Sequence, residues 1–154
     1  MKLQTSTRLA IFAILELTGR DGVQLSVADI GQKYGVSNHH LAKVMHVVNR
    51  AGLVRSVRGA GGGYQFVGNA KRTTLLDVVQ LFEDSSTFEQ DAGTADATPE
   101  GRALRKILNE IDEIARATLG SVTIATMRKL ISGVDVISSR SRPALPRRRS
   151  GSHR

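Results

Sequence analysis

Residues 24–67, QLSVADIGQKYGVSNHHLAKVMHVVNRAGLVRSVRGAGGGYQFV, contain two short amphipathic runs followed by a glycine-rich hairpin, and their reading decides the fold. Ser26 is placed to cap a helix, Asp29 stands three positions on to complete a capping box, and Val27, Ile30 and Tyr34 fall on one helical face. Gly35 closes that helix and Val36 supplies the apolar residue of a tight turn. Ser37 then caps a second helix, in which Leu41, Val44, Met45 and Val48 recur at the three-and-four spacing that buries one stripe. Gly52 ends it. Leu53, Arg55 and Val57 alternate with Val54, Ser56 and Arg58 as a strand does; Gly59, Gly61, Gly62 and Gly63 form a tip, and Tyr64 to Val67 return as the second strand. Helix, turn, helix and two-stranded hairpin is the order of a winged helix-turn-helix.

The face of the second helix opposite its apolar stripe is polar throughout. It carries Asn38, His39, Lys43, His46 and Arg50, with His40 at the flank, a set rich in hydrogen-bond donors and positive charge. The chain's charge follows the same division. Residues 1–72 hold ten Lys or Arg against three acids, residues 73–137 six against eleven, and residues 138–154 six Arg and no acid. A polyanion is drawn to the first part and repelled by the second, so double-stranded DNA is the expected partner. Asn38, His39, His40 and Lys43 occupy the first two turns behind Ser37, the stretch that meets base edges in helix-turn-helix proteins. The amides capped by Ser37 offer a phosphate seat, and Lys43, Arg50 and Arg55 are equally suited to phosphates. Gly61 and Gly62 let the hairpin backbone lie close to a sugar-phosphate chain, and Tyr64 completes the expected contact set.

On either side of this motif the chain remains mostly helical. Ser6 reads as the cap of a helix to about Thr18 that is apolar nearly all round, which asks for a second partner beyond the winged-helix core. Thr98 and Pro99 open a long helix with the stripe Leu104, Ile107, Leu108, Ile111, Ile114, Ala115 and Leu119, the expected partner. Thr123 to Ile131 reads as a short helix with Ile124, Met127, Leu130 and Ile131 inward. The expectation is therefore a mainly α chain with a small β-hairpin wing. It comprises a DNA-binding part at 1–82, an acidic loop at 83–98, a long helix and a short C-terminal helix at 99–132, and a disordered basic tail at 133–154.

The segment VSNHHLAKVMHVVNRAGLVRSVRGAGGGYQF, with the opening MKLQTSTRLAI, the TTLLDVVQLFE stretch and the late TIATMRKL, resembles the Rrf2 family of bacterial transcription regulators over residues 1 to about 132. The resemblance implies a homodimer in which Leu104, Ile107, Leu108, Ile111 and Ile114 of the long helix form the two-fold contact, although packing of that stripe on its own domain is the competing reading. It also implies a minor-groove contact for Arg58 at the base of the wing. Two recognition helices related by a two-fold axis imply a near-palindromic operator with half-sites about 34–36 Å, or a multiple of that, apart. Regulators of this family that carry an iron–sulfur cluster hold it with three cysteines in the loop that corresponds to residues 83–101, and this chain has no cysteine. No iron–sulfur cluster and no other cofactor is expected, thiol redox sensing is excluded, and any switch is an unknown effector or none.

Other chemistries fit less well. His39 and His46 are seven apart, about 10 Å along a helix at 1.5 Å per residue, and His40 has no histidine three or four positions on, so the helix holds no metal pair. The glycine cluster lacks the Lys and Ser or Thr of a phosphate loop, Tyr64 breaks the dinucleotide pattern, and no catalytic triad is grouped, so no enzyme is expected. Without a membrane-span run or leader pattern, a cytoplasmic protein is the expectation. The expected function is sequence-specific DNA binding by a homodimeric repressor. A winged-helix module for a protein partner is the alternative.

Overall fold

The computed structural model describes residues 3–19, 22, 24–83 and 97–140. In chain order it forms α1 (Thr5–Leu17), β1 (Gln24–Leu25), α2 (Val27–Tyr34), α3 (Asn38–Arg50), β2 (Val54–Val57), β3 (Gly63–Phe66), α4 (Leu75–Val79), α5 (Pro99–Ser121) and α6 (Ile124–Arg140).

The caps account for most of these boundaries. The Ser26 hydroxyl accepts from Asp29 N–H at 3.1 Å while Asp29 Oδ2 accepts from Ser26 N–H at 2.9 Å, a closed capping box at the start of α2. Gly35 ends α2 with φ 64°, a left-handed conformation that a side chain would strain. Ser37 caps α3 through His40 N–H, Thr74 and Asp77 repeat the capping box on α4, and Thr98 with Pro99 starts α5. One expected cap is absent. α1 begins two residues earlier than the Ser6 reading placed it, and its cap residue Gln4 makes no side-chain cap bond. Instead Glu83, at the end of the chain segment after α4, accepts from Gln4 N–H at 2.8 Å and from the Thr7 hydroxyl. A distant carboxylate thus satisfies what a local side chain usually does.

β1, β3 and β2 form one antiparallel sheet in that order, with Leu25 opposite Tyr64 and Val57 opposite Gly63. The expected two-stranded hairpin is thus three-stranded. Its strands are also shifted: β2 starts at Val54 rather than Leu53 and stops before Arg58, and Gly63 belongs to β3 rather than the tip. Gly63 must lack a side chain, because a Cβ there would overlap the Leu25 carbonyl oxygen and lie 2.6 Å from its carbon. The close approach of β1 demands glycine, whereas the tip proper needs it for φ 109° at Gly59 and 76° at Gly61.

The core is built from α1, α2, α3, β2, α4 and the first turn of α6. Ile14, Leu41, Met45, Val48 and Val78 are fully buried, and so is Ile124. The second side of α1 was expected to meet the long helix; α4 and α6 cover it, while α5 packs on α4. The junction between α5 and α6 is pinned by Leu75 N–H to Val122 carbonyl at 2.8 Å and Ile124 N–H to Thr73 carbonyl at 2.9 Å. Arg128 of α6 then donates to the Gly19 carbonyl at 3.0 Å and the Leu15 carbonyl at 3.4 Å, closing the C-terminal end of α1. The expected short last helix runs instead to Arg140, so the first part of the stretch read as disordered is helical. Leu130 and Ile131, expected inward, are exposed by 58% and 44%, because α6 has left the core after its first turns. The rest of that tail, and most of the acidic loop, lies outside the described residues.

Candidate nucleic-acid interface

The two halves of α3 show how amphipathic spacing positions a binding edge. Leu41, Val44, Met45 and Val48 are at most 2% exposed, and this clamps the helix to α1 and α2. That packing turns Asn38, His39, Lys43, His46 and Arg50 to the outside, where all five are exposed. Ser37, also exposed, engages His40 N–H at 3.2 Å, and the N-terminal end of the helix dipole faces outward beside it.

His40 departs from this set. It is half-buried, and its Nε2 lies 3.2 Å from the hydroxyl oxygen of Ser6 on α1, within hydrogen-bond reach. Its ring therefore faces the α1–α3 seam. On the sheet, Arg55 donates to Gln65 Oε1 through Nε at 3.0 Å and Nη2 at 2.7 Å, across the paired positions of β2 and β3. Arg58 and Gly61 are exposed at the wing and Gly62, half-buried, donates to the Gly59 carbonyl at 2.9 Å to close the turn. The Gln24 side chain donates to the Gly61 carbonyl, tying β1 to the wing tip. Tyr64 parts company with the other candidates because its ring packs against the hydrophobic core.

Reading the sequence missed Gln24 and Gln65, which hold the wing from the strand side. Two residues of strand are too short for an alternation pattern, so β1 left no signal. It also missed a stack on the outer side of α1 and α2. The Phe12 and Tyr34 rings lie 5.0 Å apart and nearly parallel, and the Arg8 guanidinium and Lys33 ammonium sit over them at 6.0 and 5.6 Å. Below the stack, Glu16 accepts from Tyr34 OH at 2.6 Å and from Lys33. Burial pushes the Glu16 carboxyl up, but the bonds from Lys33 and Tyr34 and the charges of Lys33 and Arg128 outweigh it and hold it below its ordinary value. Burial, with the neighbouring carboxylate, pushes the Tyr34 phenol up.

On α5, Leu104, Ile107, Ile111 and Ile114 are exposed by 60, 52, 47 and 67%, and no residue of that helix is buried. Leu108 is half-buried on the same stripe. The reading in which the stripe packs fully on its own domain is therefore not what the fold shows. No helix among the described residues is long and apolar enough to cross a membrane.

The profile of the Rrf2 family, described as an iron-dependent transcriptional regulator, matches residues 3–129. The HTH-type transcriptional regulator BadM of Rhodopseudomonas palustris is 50% identical over 131 residues, covering 85% of this chain and 83% of the relative. Two solved structures share the fold. Staphylococcus aureus CymR has a TM-score of 0.69 at 24% identity, covering 81% of this chain and 96% of that one. IscR of T. potens has a TM-score of 0.68 at 23% identity, covering 94% of each chain.

The iron in the family's description has to be tested against the donors present. The chain contains no cysteine, and among the described residues no three His, Asp or Glu side chains gather where an ion could be held. Carboxylate and imidazole are poor substitutes for the thiolates that hold iron–sulfur clusters. These residues do not fit a cysteine-ligated cluster.

Proposed function

The chain belongs to the Rrf2 family of DNA-binding transcriptional regulators, and from that premise we propose that it works as a homodimeric repressor on a near-palindromic operator, without a cysteine-ligated iron–sulfur cluster. The observation that carries this reading is the outward edge of α3. Asn38, His39 and Lys43 are exposed on its first two turns, fixed by a fully buried opposite stripe, in the part of the chain where ten basic residues face three acids.

Within that reading Asn38 and His39 meet base edges in the major groove. Lys43 and Arg50 anchor phosphates, as does the amide end of α3 beside Ser37. Arg58 and the backbone at Gly61 and Gly62 approach the minor groove beside the wing. Arg55, already bonded to Gln65, stiffens the wing and offers its remaining donors to a phosphate. Tyr64 supports the wing from the core side, and His40 supports α3 against α1. The stripe Leu104, Ile107, Leu108, Ile111 and Ile114 meets its two-fold mate, which sets the spacing of the two half-sites.

Selection from random duplexes tests the proposal. A palindromic consensus is expected, with affinity that falls with salt at a logarithmic slope of about −0.9 per neutralised phosphate. Failure to retain any duplex at low salt refutes it. Lys43→Ala is expected to make the slope shallower by about one phosphate, whereas Asn38→Ala relaxes sequence preference at one step. A visible iron–sulfur absorbance in anaerobically purified protein refutes the cofactor part.

A further inference from the structure

A cavity of about 420 Å³ opens where the first turn of α1, the middle of α3 and the residues after α4 meet. Its apolar lining is Val44, Val47 and Phe82; its polar lining is Ser6, His39, His40 and Lys43. The volume falls inside the range of about 300–1,000 Å³ typical of small-molecule sites, and a few converging polar groups over an apolar wall is the usual composition of such sites.

We propose that this cavity is a binding site for a small organic monocarboxylate with a short apolar body, and that its occupation competes with DNA. The charge of the lining selects the class. It contains one obligate cation, Lys43, with a hydroxyl and two imidazoles as further donors, and no carboxylate. One fixed positive charge matches a monoanion rather than a phosphate dianion or a cation. Glu83, next in the chain after Phe82, is not part of the wall, and its Oε1 is turned to Gln4 N–H and the Thr7 hydroxyl. The apolar side chains select the rest of the ligand: Val44 is 2% exposed and forms a dry floor, and the half-buried Val47 and Phe82 flank it.

The consequence for DNA rests on the function proposed above. His39 and Lys43 belong both to the cavity wall and to the outward edge of α3, so a carboxylate held by them removes a phosphate anchor and adds a negative charge where a polyanion docks. The half-buried His40, within reach of Ser6, sits between the two and makes the α1–α3 seam the place where ligand is read.

The test uses the full-length chain without DNA, titrated by calorimetry and ring-proton NMR with hexanoate, with hexanol and hexylammonium as controls. One saturable hexanoate site per chain is expected, with shifts at Phe82 and at the His39 and His40 rings and at least tenfold weaker binding of both controls. Absence of saturable binding, or equal binding of the controls, overturns the proposal. Val47→Asp and Phe82→Ala are expected to weaken hexanoate at least tenfold, and Phe82→Ala, which leaves the charge of α3 unaltered, is expected to leave the affinity for the selected operator unchanged. If Phe82→Ala does not fold, the half-exposed position of Val47→Asp carries the comparison, and undiminished hexanoate binding by that variant overturns the site. Hexanoate is further expected to release the operator from the unaltered protein, and its failure to do so overturns the competition. Because hexanoate binding is read on DNA-free protein, a protein that binds hexanoate but no duplex refutes the repressor reading and leaves the cavity assignment standing.

Discussion

Replacing Ile111 by Glu should convert the protein to a monomer without unfolding it. Leu104, Ile107, Ile111 and Ile114 each leave roughly half their surface in water, with values of 60, 52, 47 and 67%. Completing the burial of such a side chain is worth about 1 kcal/mol, half of the ~1.5–3 kcal/mol for full burial, so four from each protomer yield a gross gain of about 8 kcal/mol. Lost translational and rotational freedom costs at least about 4 kcal/mol, which leaves a margin that one side chain can decide. Glu at 111 removes about 1 kcal/mol of burial in each protomer and places two carboxylates in a desolvated seam at several kcal/mol. The dimer constant should weaken by ~1,000-fold or more, since each 1.4 kcal/mol is a factor of ten. Sedimentation equilibrium reads the mass, and a thermal melt reads the fold, which should persist because no α5 residue belongs to the buried core. A variant that remains dimeric at micromolar concentration refutes the assignment of this stripe to the two-fold contact.

Three further outcomes follow from particular contacts. Glu16 is held below its ordinary value of 4.5, so the stability it contributes is present above that value and is lost as pH falls through its lowered folded value; Glu16→Gln should flatten the acid limb of an unfolding curve, and an unchanged limb contradicts the Lys33, Tyr34 and Arg128 assignment. Gly63→Ala should detach β1, seen as loss of hydrogen-exchange protection at the Gln24–Gln65 and Leu25–Tyr64 pairs, because a Cβ there would lie 2.9 Å from the Ser26 nitrogen and cannot be accommodated by a side-chain shift alone. Ser26→Ala should cost about 1 kcal/mol in denaturant unfolding by opening the capping box of α2, and a loss below the measurement error would place the helix start elsewhere.

The parts of this fold that were legible in the sequence are those written by neighbours three or four residues apart. Ser26 with Asp29, Ser37, Gly35 and the stripe Leu41, Val44, Met45 and Val48 are each a local statement about one helix, and each stands as read. The choice of tertiary partner is not written that way. α1 is apolar on two sides, but nothing in its own residues distinguishes α4 and α6 from α5 as the second cover. Ser6 has the residue type of a cap, yet Glu83 supplies the anion from 79 positions away from Gln4. At the candidate interface the polar edge of α3 was readable because helical period separates it from the core. The inward ring of Tyr64 was not, because in a strand a single aromatic residue suits either face until the register is known.

Arg128 gives the order in which the molecule can be made. Its bond to the Leu15 carbonyl spans 113 positions, and Ile124, one turn before it, fills the same interior as Ile14 and Leu41. A chain leaving the ribosome has therefore exposed the recognition helix and the wing long before the plug that seals their support has been synthesised. Such long-range closure is slow compared with local helix formation. Residues 1–82 expressed alone should expose the gap left by Ile124 and bind a hydrophobic dye, whereas a chain carried through Arg128 should not. The recognition helix and the wing are thus translated first, and the core that supports them is completed only when α6 arrives.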